Sequence, residues 1–325
     1  MSETVLDYTS LSTAASCGRK FQYAVEERLA PKGARVPLIA GSIMHEALRS
    51  LYADGWDIEA AVSVLHAAFD RSGWTPPRVC MCEKKSNCKC YAYMTRGHLE
   101  VVLRNYHADR SKSPTWIEAE STLPAAESSR LEEAIVWDWK GESGEVLRLG
   151  GKIDLPTVIA GKRCIVDHKT STSWLNSFWF TQRFGLGLQF RLYAAAMQAL
   201  HGERYEEAWV NAIYIGQSAA DDATAWARRQ SVPHMLKKVA DITPASLEEA
   251  WQWAKGHSET IDLWRKTGRF PQNERACGDW GSCEFAPLCS VAPGMRREIE
   301  KRRGYEVRVI DGLLASGADS SEEVA

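Results

Sequence analysis

The sequence predicts a mixed α/β fold in which a central β-sheet is flanked by helices, with a helical insertion ahead of the sheet. Three observations carry that expectation. Apolar residues recur at helical spacing through most of the first 110 residues. Alternating, β-branched and aromatic stretches then dominate from Pro114 to about Gln217. The chain has 325 residues, 45% of them hydrophobic, which is enough to bury a substantial core.

Taken in order, Ser10 to Arg28 reads as one helix capped by Ser10 or Ser12. Gly41 to Leu51 is a second helix, with Ile43, Ala47, Leu48 and Leu51 on one face, and residues 57–71 form a third. Pro76 and Pro77 break the pattern ahead of the polar stretch CMCEKKSNCKC, which reads as a loop inserted before the helical pattern YMTRGHLEVVLRNYHA. WIEAESTL, EEAIVWDWK, GEVLRLGGKIDLPTVIA and KRCIVDHKTST read as antiparallel strands joined by tight connections, the last pair through a turn at Ala160 and Gly161. GLQFRLYAAAMQALHG is helical, Ala208 to Gln217 is a strand, and residues 244–266 form a long amphipathic helix. A basic helix runs from Pro293 to Arg303. The expected divisions are N-terminal helices over 1–45, a helical insertion over 46–113, a sheet-bearing core over 114–270, a cysteine-bearing segment with the basic helix over 271–310, and a polar tail over 311–325.

Forty basic and 42 acidic residues leave a formal charge of −2, which argues against a uniformly basic DNA-coating protein and leaves a local basic groove open. No apolar run is long enough for a membrane span, and the start MSETVLDYTS has no basic and apolar leader, so no membrane partner and a cytoplasmic location are expected. In such a compartment the nine cysteines read better as metal ligands than as disulfides. Cys164, inside RCIVDHK, reads as a small buried hydrophobe. Cys17 near one end and Cys277, Cys283 and Cys289 near the other form a candidate four-thiolate site, for zinc or an iron–sulfur cluster alike. Cys80, Cys82, Cys88 and Cys90 form C-x-C-x5-C-x-C, a candidate compact zinc knuckle beside Lys84, Lys85 and Lys89.

The most informative stretch is GGKIDLPTVIAGKRCIVDHKT. Asp167 and Lys169 are two apart on one strand and so share a face, while His168 points to the other. A hairpin closing at Gly161 brings Asp154 opposite Asp167. Two carboxylates and an ammonium at one spot are costly together, and a hard divalent cation relieves the carboxylate repulsion. The lysine then serves to orient water and stabilise charge developing on a phosphate. A surface hairpin with one Asp–Lys ion pair explains these three residues equally well. Upstream, His45 stands on an early helix within G-S-I-M-H. Downstream, Gln189 and Tyr193 lie one helical turn apart on one face.

In that order, these pieces resemble the PD-(D/E)XK nuclease superfamily, and in particular the RecB-like and AddB-like exonucleases and their CRISPR-associated relatives. The matching motifs are the helix motif ending in His45, the G-x-x-D of Gly151 to Asp154, the D-x-K of Asp167 to Lys169, and the Q-x-x-x-Y of Gln189 to Tyr193. They span Leu11 to Cys289, with residues 75–95 as added material. The resemblance implies a restriction-endonuclease-like core with an iron–sulfur clamp. It implies a Mg²⁺- or Mn²⁺-dependent DNA exonuclease that prefers single strands, with His45, Asp154, Asp167 and the carbonyl of His168 as metal ligands. It implies Lys169 as the catalytic lysine, with Gln189 and Tyr193 lining the site. It implies a [4Fe–4S] cluster on Cys17, Cys277, Cys283 and Cys289, although the five-residue interval after Cys277 departs from the short C-x2-C of the family. Glu120 reads as an added acid or as part of a solvated strand face. Trp174 and Arg183 after the D-x-K strand, and Arg296 and Arg297 on the basic helix, are the candidate DNA contacts. The alternative is a catalytically silent DNA-binding or assembly subunit of a recombination or CRISPR adaptation complex. A zinc deaminase or hydrolase built on His45-Glu46 fails, because neither a second histidine four residues on nor a P-C-x-x-C partner is present. A helicase, a recombinase or a CRISPR adaptation protein is the expected protein partner. The chain has no Walker motif, so it is not itself a motor.

Overall fold

The computed structural model describes residues 5–31, 36–77, 91–110, 134–141, 144–172, 184, 187–216, 234–278 and 283–307. Strand β1 (Leu6–Asp7) leads into helix α1 (Tyr8–Ser16). The Asp7 carboxylate caps α1 by accepting from the Ser10 N–H at 2.7 Å, so the cap is an acid one turn earlier than either serine expected from the sequence. The helix predicted as continuous to Arg28 breaks at Cys17, which is extended at φ −163°. It resumes as α2 (Gly18–Phe21) and ends as a π-helical turn (Gln22–Glu26). Gly18 explains the break, because a Cβ there would lie 2.6 Å from the Pro271 ring. The chain continues into β2 (Leu29–Pro31), which pairs antiparallel with β9 (Tyr305–Val307) and ties the N-terminal segment to the C-terminal one.

A helical layer follows, made of α3 (Val36–Ala53), α4 (Ile58–Arg71) and α5 (Arg96–Arg110). On α3, Ala40, Ile43, Met44, Ala47, Leu48 and Leu51 recur at three- and four-residue steps and bury together against Leu65 of α4 and Leu99, Val102 and Leu103 of α5. Asp57 caps α4 by accepting from the N–H groups of Glu59 and Ala60. The cysteine-rich stretch 80–90 and the expected strand over 116–123, with Glu120, lie outside the described residues.

Two sheets are built from one strand sequence. β3 (Ala134–Lys140) and β4 (Val146–Lys152) pair antiparallel, with β1 added parallel to β4. After Ile153 and Asp154 the chain enters β5 (Leu155–Ile159), which pairs antiparallel with β6 (Lys162–Ser171). Ala160 and Gly161 both hold positive φ, 49° and 78°, as a two-residue type I′ hairpin turn requires. β6 pairs parallel with β7 (Glu207–Tyr214), and β7 pairs antiparallel with β8 (His234–Asp241), so this sheet is mixed. The parallel step is bridged by α6 (Leu188–His201), the crossover such a pair needs. Helix α7 (Pro244–Thr267) opens with a capping box between Thr243 and Ser246 and packs on α1 and α6. The C-terminal segment adds α8 (Ala286–Cys289) and α9 (Arg296–Arg303), which is reached through a 3-10 turn at Pro293–Met295.

The alternation on β6 divides the interior. Ile165 faces the cluster that holds Phe190 and Leu192 of α6, with Leu149 and Val210. Cys164 and Val166 face the other way, toward Tyr52 of α3, and Cys164 is fully buried as expected. No helix among the described residues is long and apolar enough to cross a membrane.

One ion triad, built on the buried Glu207 and two lysines open to solvent, fastens three strands of the mixed sheet. Glu207 of β7 lies 2.9 Å from Lys162 of β6, 2.9 Å from Lys238 of β8 and 3.0 Å from the Trp209 indole nitrogen. Burial opposes its charge, but those three donors prevail and pull its carboxyl down to about 2. The folded value is depressed below the ordinary 4.5, so the stabilisation is complete above that value and is lost as pH falls toward about 2. Glu207→Gln is therefore expected to lower the thermal midpoint at pH 7. The gap from the parent should narrow between pH 4.5 and the lowest pH at which both proteins still fold, as read by circular dichroism melts.

Candidate active site

The site forms where β6 outruns β5. The hairpin register pairs Leu155 with Val166, which places Asp154 just beyond the last pair and opposite Asp167. From that point β6 keeps β7 on one edge, and on the other the Asp154 side chain takes over: its Oδ2 accepts the His168 N–H at 2.8 Å. Asp167 and Lys169 share a face, with Lys169 Nζ 2.5 Å from Asp167 Oδ2. Gln189, in the first turn of α6, donates through Nε2 to Asp167 Oδ1 at 3.1 Å and to the Tyr193 hydroxyl at 3.1 Å. His45 enters from α3, with Nδ1 3.5 Å from Asp154 Oδ1. Thus residues from β5's entry, β6, α3 and α6 converge, and the structure brings together all of His45, Asp154, Asp167, His168, Lys169, Gln189 and Tyr193.

The electrostatics are tense. Asp167 is 2% exposed. Burial, and then the negative charge of Asp154, push its carboxyl up, against the pull of Lys169. For Asp154 burial also opposes ionisation, but His45 beside it and the charges of His168 and Lys169 hold it below the usual carboxylate range. For Lys169 burial disfavours the ammonium, and the two carboxylates outweigh it and keep the group charged. Asp167 Oδ2 is a buried carboxylate oxygen held in a close ion pair by that ammonium. Two carboxylates, one of them with such an oxygen, and an adjacent imidazole make a donor set suited to a hard divalent cation. Among the described residues no group of three or more His, Cys, Asp or Glu side chains is already drawn to metal-ligating spacing.

Three parts of the site were not read from the sequence. Tyr8, at the start of α1, lies near enough for Lys169 and Asp167 to act on its phenol, which burial pushes above the ordinary tyrosine value. Behind β6, Asn211 of β7 donates to His168 Nδ1 at 2.9 Å and to the Tyr106 hydroxyl at 2.8 Å, and Tyr52 stacks on the His168 ring. Gly41 and Gly151 are close-approach positions: an added Cβ would lie 2.9 Å from Thr170 Oγ1 and 2.8 Å from Tyr193 Cε1. The two glycines stood within the motifs quoted from the sequence, but the neighbours that require them are remote in the chain.

The four cysteines expected to form a thiolate site lie in one region without reaching metal-ligating spacing among the described residues. Cys17 is buried, and its Sγ accepts the Asn273 N–H at 3.4 Å. The Cys283 N–H donates to the Cys277 carbonyl at 2.9 Å. Burial pushes the Cys289 thiol up, and Cys17, Cys283 and Cys277 add to the shift, so the four share one electrostatic neighbourhood as free thiols. Arg296 is half-buried beside Tyr23 and Arg297 is exposed. Trp174, Arg183, Cys80, Cys82, Cys88 and Cys90 lie outside the described residues.

The close approach of Gly151 to Tyr193 has a direct consequence. Gly151→Ala is expected to destabilise the protein by about 1–3 kcal/mol through overpacking. Tyr193→Leu in the same chain should recover part of that loss. A double-mutant cycle from urea unfolding measures the coupling, and strictly additive effects would remove the contact as the reason for the glycine.

No curated protein matches the chain. Among solved structures, a "Putative exonuclease" from Eubacterium rectale shares 14% identity, over 96% of this chain and 91% of that one, with a TM-score of 0.48. The structure described as SSO0001 shares 14% identity over 60% of this chain and 77% of that one, with a TM-score of 0.27. The sequence matches the PD-(D/E)XK nuclease superfamily over residues 6–290, a span that contains every residue of the carboxylate–lysine site. On that match the chain belongs to the PD-(D/E)XK nuclease superfamily.

Proposed function

We propose that the protein is a Mg²⁺- or Mn²⁺-dependent deoxyribonuclease, an exonuclease acting preferentially on single-stranded DNA. The observation that carries the reading is the buried pair Asp154 and Asp167 with Lys169 against Asp167. A structural ion pair needs one carboxylate. A second one, held ionised opposite the first, raises the cost of the arrangement unless a cation joins it.

Asp154, Asp167 and His45 would hold the divalent ion, with the His168 carbonyl as a further ligand. An ion there supplies polarisation of a phosphate oxygen and a more acidic water. The chain's own residues do the rest. Lys169, with a third of its side chain exposed, presents a fixed positive charge to the negative charge that develops on the phosphate during displacement. Gln189 holds Asp167 Oδ1, so the carboxylate does not swing wholly onto the lysine. Tyr193, kept protonated by burial and by the Asp167 charge, holds Gln189 in place. Ile165, fully buried on the same face of β6 as Asp167, lies in the apolar core beneath the site.

We further infer that Cys17, Cys277, Cys283 and Cys289 carry a structural [4Fe–4S] cluster that joins the terminal segments. In support, Cys283 and Cys289 pack with Leu29 of β2 and Tyr305 of β9, and Cys17 and Cys277 lie within electrostatic reach of Cys289. Cys80, Cys82, Cys88 and Cys90 are assigned one zinc. Arg296, Arg297, Trp174 and Arg183 are assigned to DNA contact, and a helicase, recombinase or CRISPR adaptation protein is the proposed partner.

Two measurements test this reading. On 5′- and 3′-end-labelled single-stranded DNA, the parent should release short products only with Mg²⁺ or Mn²⁺. Lys169→Ala and Asp154→Asn should each lower the rate by about 100- to 1,000-fold, the size of losing one electrostatic stabiliser of the transition state. Absence of cleavage by the metal-replete parent from either end would overturn the enzyme and leave a DNA-binding subunit. Separately, anaerobically purified protein should contain about four iron atoms per chain and show a broad visible absorbance that Cys283→Ser removes. A zinc atom in place of that iron, with no visible absorbance, would reassign the four thiols to a zinc site.

A further inference from the structure

His168 is the middle residue of the D-x-K strand, and it faces away from the two side chains that flank it. Its ring is 2% exposed and lies on the side of the sheet covered by the helical layer. Its backbone faces the site. The N–H donates to Asp154 Oδ2 at 2.8 Å, and in an extended strand the carbonyl of the same residue points to the same edge. The orientation of one peptide segment therefore sets the position of Asp154, of the carbonyl beside it, and of Asp167 and Lys169 on either side.

What fixes that segment is a buried polar chain running from the strand to the helices. Asn211 stands beside His168 in the parallel register of β6 and β7, and it is fully buried. Its Nδ2 donates to His168 Nδ1 at 2.9 Å and to the Tyr106 hydroxyl at 2.8 Å. Tyr106, from α5, pairs through its hydroxyl with the Tyr52 hydroxyl of α3 at 2.6 Å. Tyr52 closes the circuit by stacking on the His168 ring at 5.3 Å and 22°. His45 meets the other side of that ring edge-on at 6.1 Å and also reaches Asp154. With the amide donating, His168 Nδ1 accepts and the ring hydrogen sits on Nε2. A chain of this kind, buried and mutually bonded, has few alternative arrangements, because any rotation strands a polar group away from water.

We propose that Asn211 is a positioning residue for the divalent-metal site, and that with Tyr106 and Tyr52 it sets the site's metal affinity through His168 from the face of the sheet opposite the chemistry. The inference rests on the metal-dependent reading above and goes beyond it, since none of these three side chains is itself a ligand. It also gives the helical layer a role in the reaction: α3 and α5 hold the strand that holds the carboxylates.

The test is Mn²⁺ binding to the full-length protein without DNA, followed by the loss of the free-ion signal in electron paramagnetic resonance. Each variant's fold is checked by its thermal melt. Asn211→Ala is expected to weaken Mn²⁺ by about 10- to 100-fold, the usual loss when the group orienting a ligand is removed. Tyr106→Phe keeps the ring and removes only the hydroxyl, and should weaken binding in the same direction by a smaller factor. His168→Asn, whose amide can present an acceptor near the former Nδ1, should bind closer to the parent than His168→Leu does. If Asn211→Ala fails to fold, the Tyr106 and His168 variants carry the comparison. A folded Asn211→Ala or Tyr106→Phe that melts earlier but binds Mn²⁺ within twofold of the parent reduces the network to core packing and overturns the proposal. A parent that binds no Mn²⁺ overturns the metal reading along with it, so the two failures are distinct.

Discussion

Everything around β6 is arranged so that two carboxylates share a dry corner with one ammonium. Such a corner does not assemble by attraction alone. Removing two carboxylates from water costs several kcal/mol per ion, and the Lys169–Asp167 attraction offsets one of them only. Asp154 is held by other means: the His168 N–H in front of it and His45 beside it. Gln189 takes the remaining oxygen of Asp167. Each of these supports comes from a different element, so the corner is held only when the sheet, the crossover helix and the helical layer are all in place. The fold can be read as the set of constraints that keeps this unfavourable grouping from relaxing.

The geometry that allows it is a mismatch of strand lengths. β5 ends its pairing at Leu155 while β6 continues to Ser171, supported by β7 alone. An unpaired strand edge ordinarily invites water or another chain. Here Asp154 occupies the first step of that edge, and its side-chain oxygen takes the position that a strand carbonyl would hold. The same step lets β4 and β5 leave in two sheets, with the bend at Ile153 and Asp154. Gly151, just before the bend, leaves room for the Tyr193 ring, and Gly41 lets α3 come down onto Thr170. The first close approach seats α6 on β4, and the second seats α3 on the strand that carries Asp167 and Lys169.

Much of this was legible in the chain because it is local. Alternation placed Asp167 and Lys169 on one face, the positive-φ turn at Ala160 and Gly161 set the hairpin register, and the four-residue step put Gln189 under Tyr193. Each needs only a short window of sequence. The misreadings have an equally physical origin. Asp7 outcompeted Ser10 as the helix cap because β1 pairs with β4 and fixes the chain just ahead of it. The break at Cys17 answers to Pro271, more than 250 residues away. Strand β8 carries His, Lys and Asp along an edge, a composition that hides strand character. Asn211, Tyr106 and Tyr52 lie on three elements and carry no shared motif, so only the packed chain shows them as one network.

The first helix links the thiol end of the molecule to the catalytic corner. Cys17 terminates α1, and Tyr8 begins it, two turns and a little more away. At the far end α1 is tied to the C-terminal segment: the Cys17 sulfur accepts from Asn273, the Asn273 amide donates to the Ser16 carbonyl, and β2 pairs with β9. At the near end Tyr8 packs against Trp253 of α7, within electrostatic reach of Lys169 and Asp167. A helix of nine residues spans only about 14 Å from end to end. Cys17 and Tyr8 are therefore held at the two ends of one short element. That linkage joins the cysteine-bearing end to the carboxylate–lysine corner through a single helix. It also explains why terminal segments so distant in sequence are stitched together by a strand pair, backbone amides and side-chain sulfur at the same place.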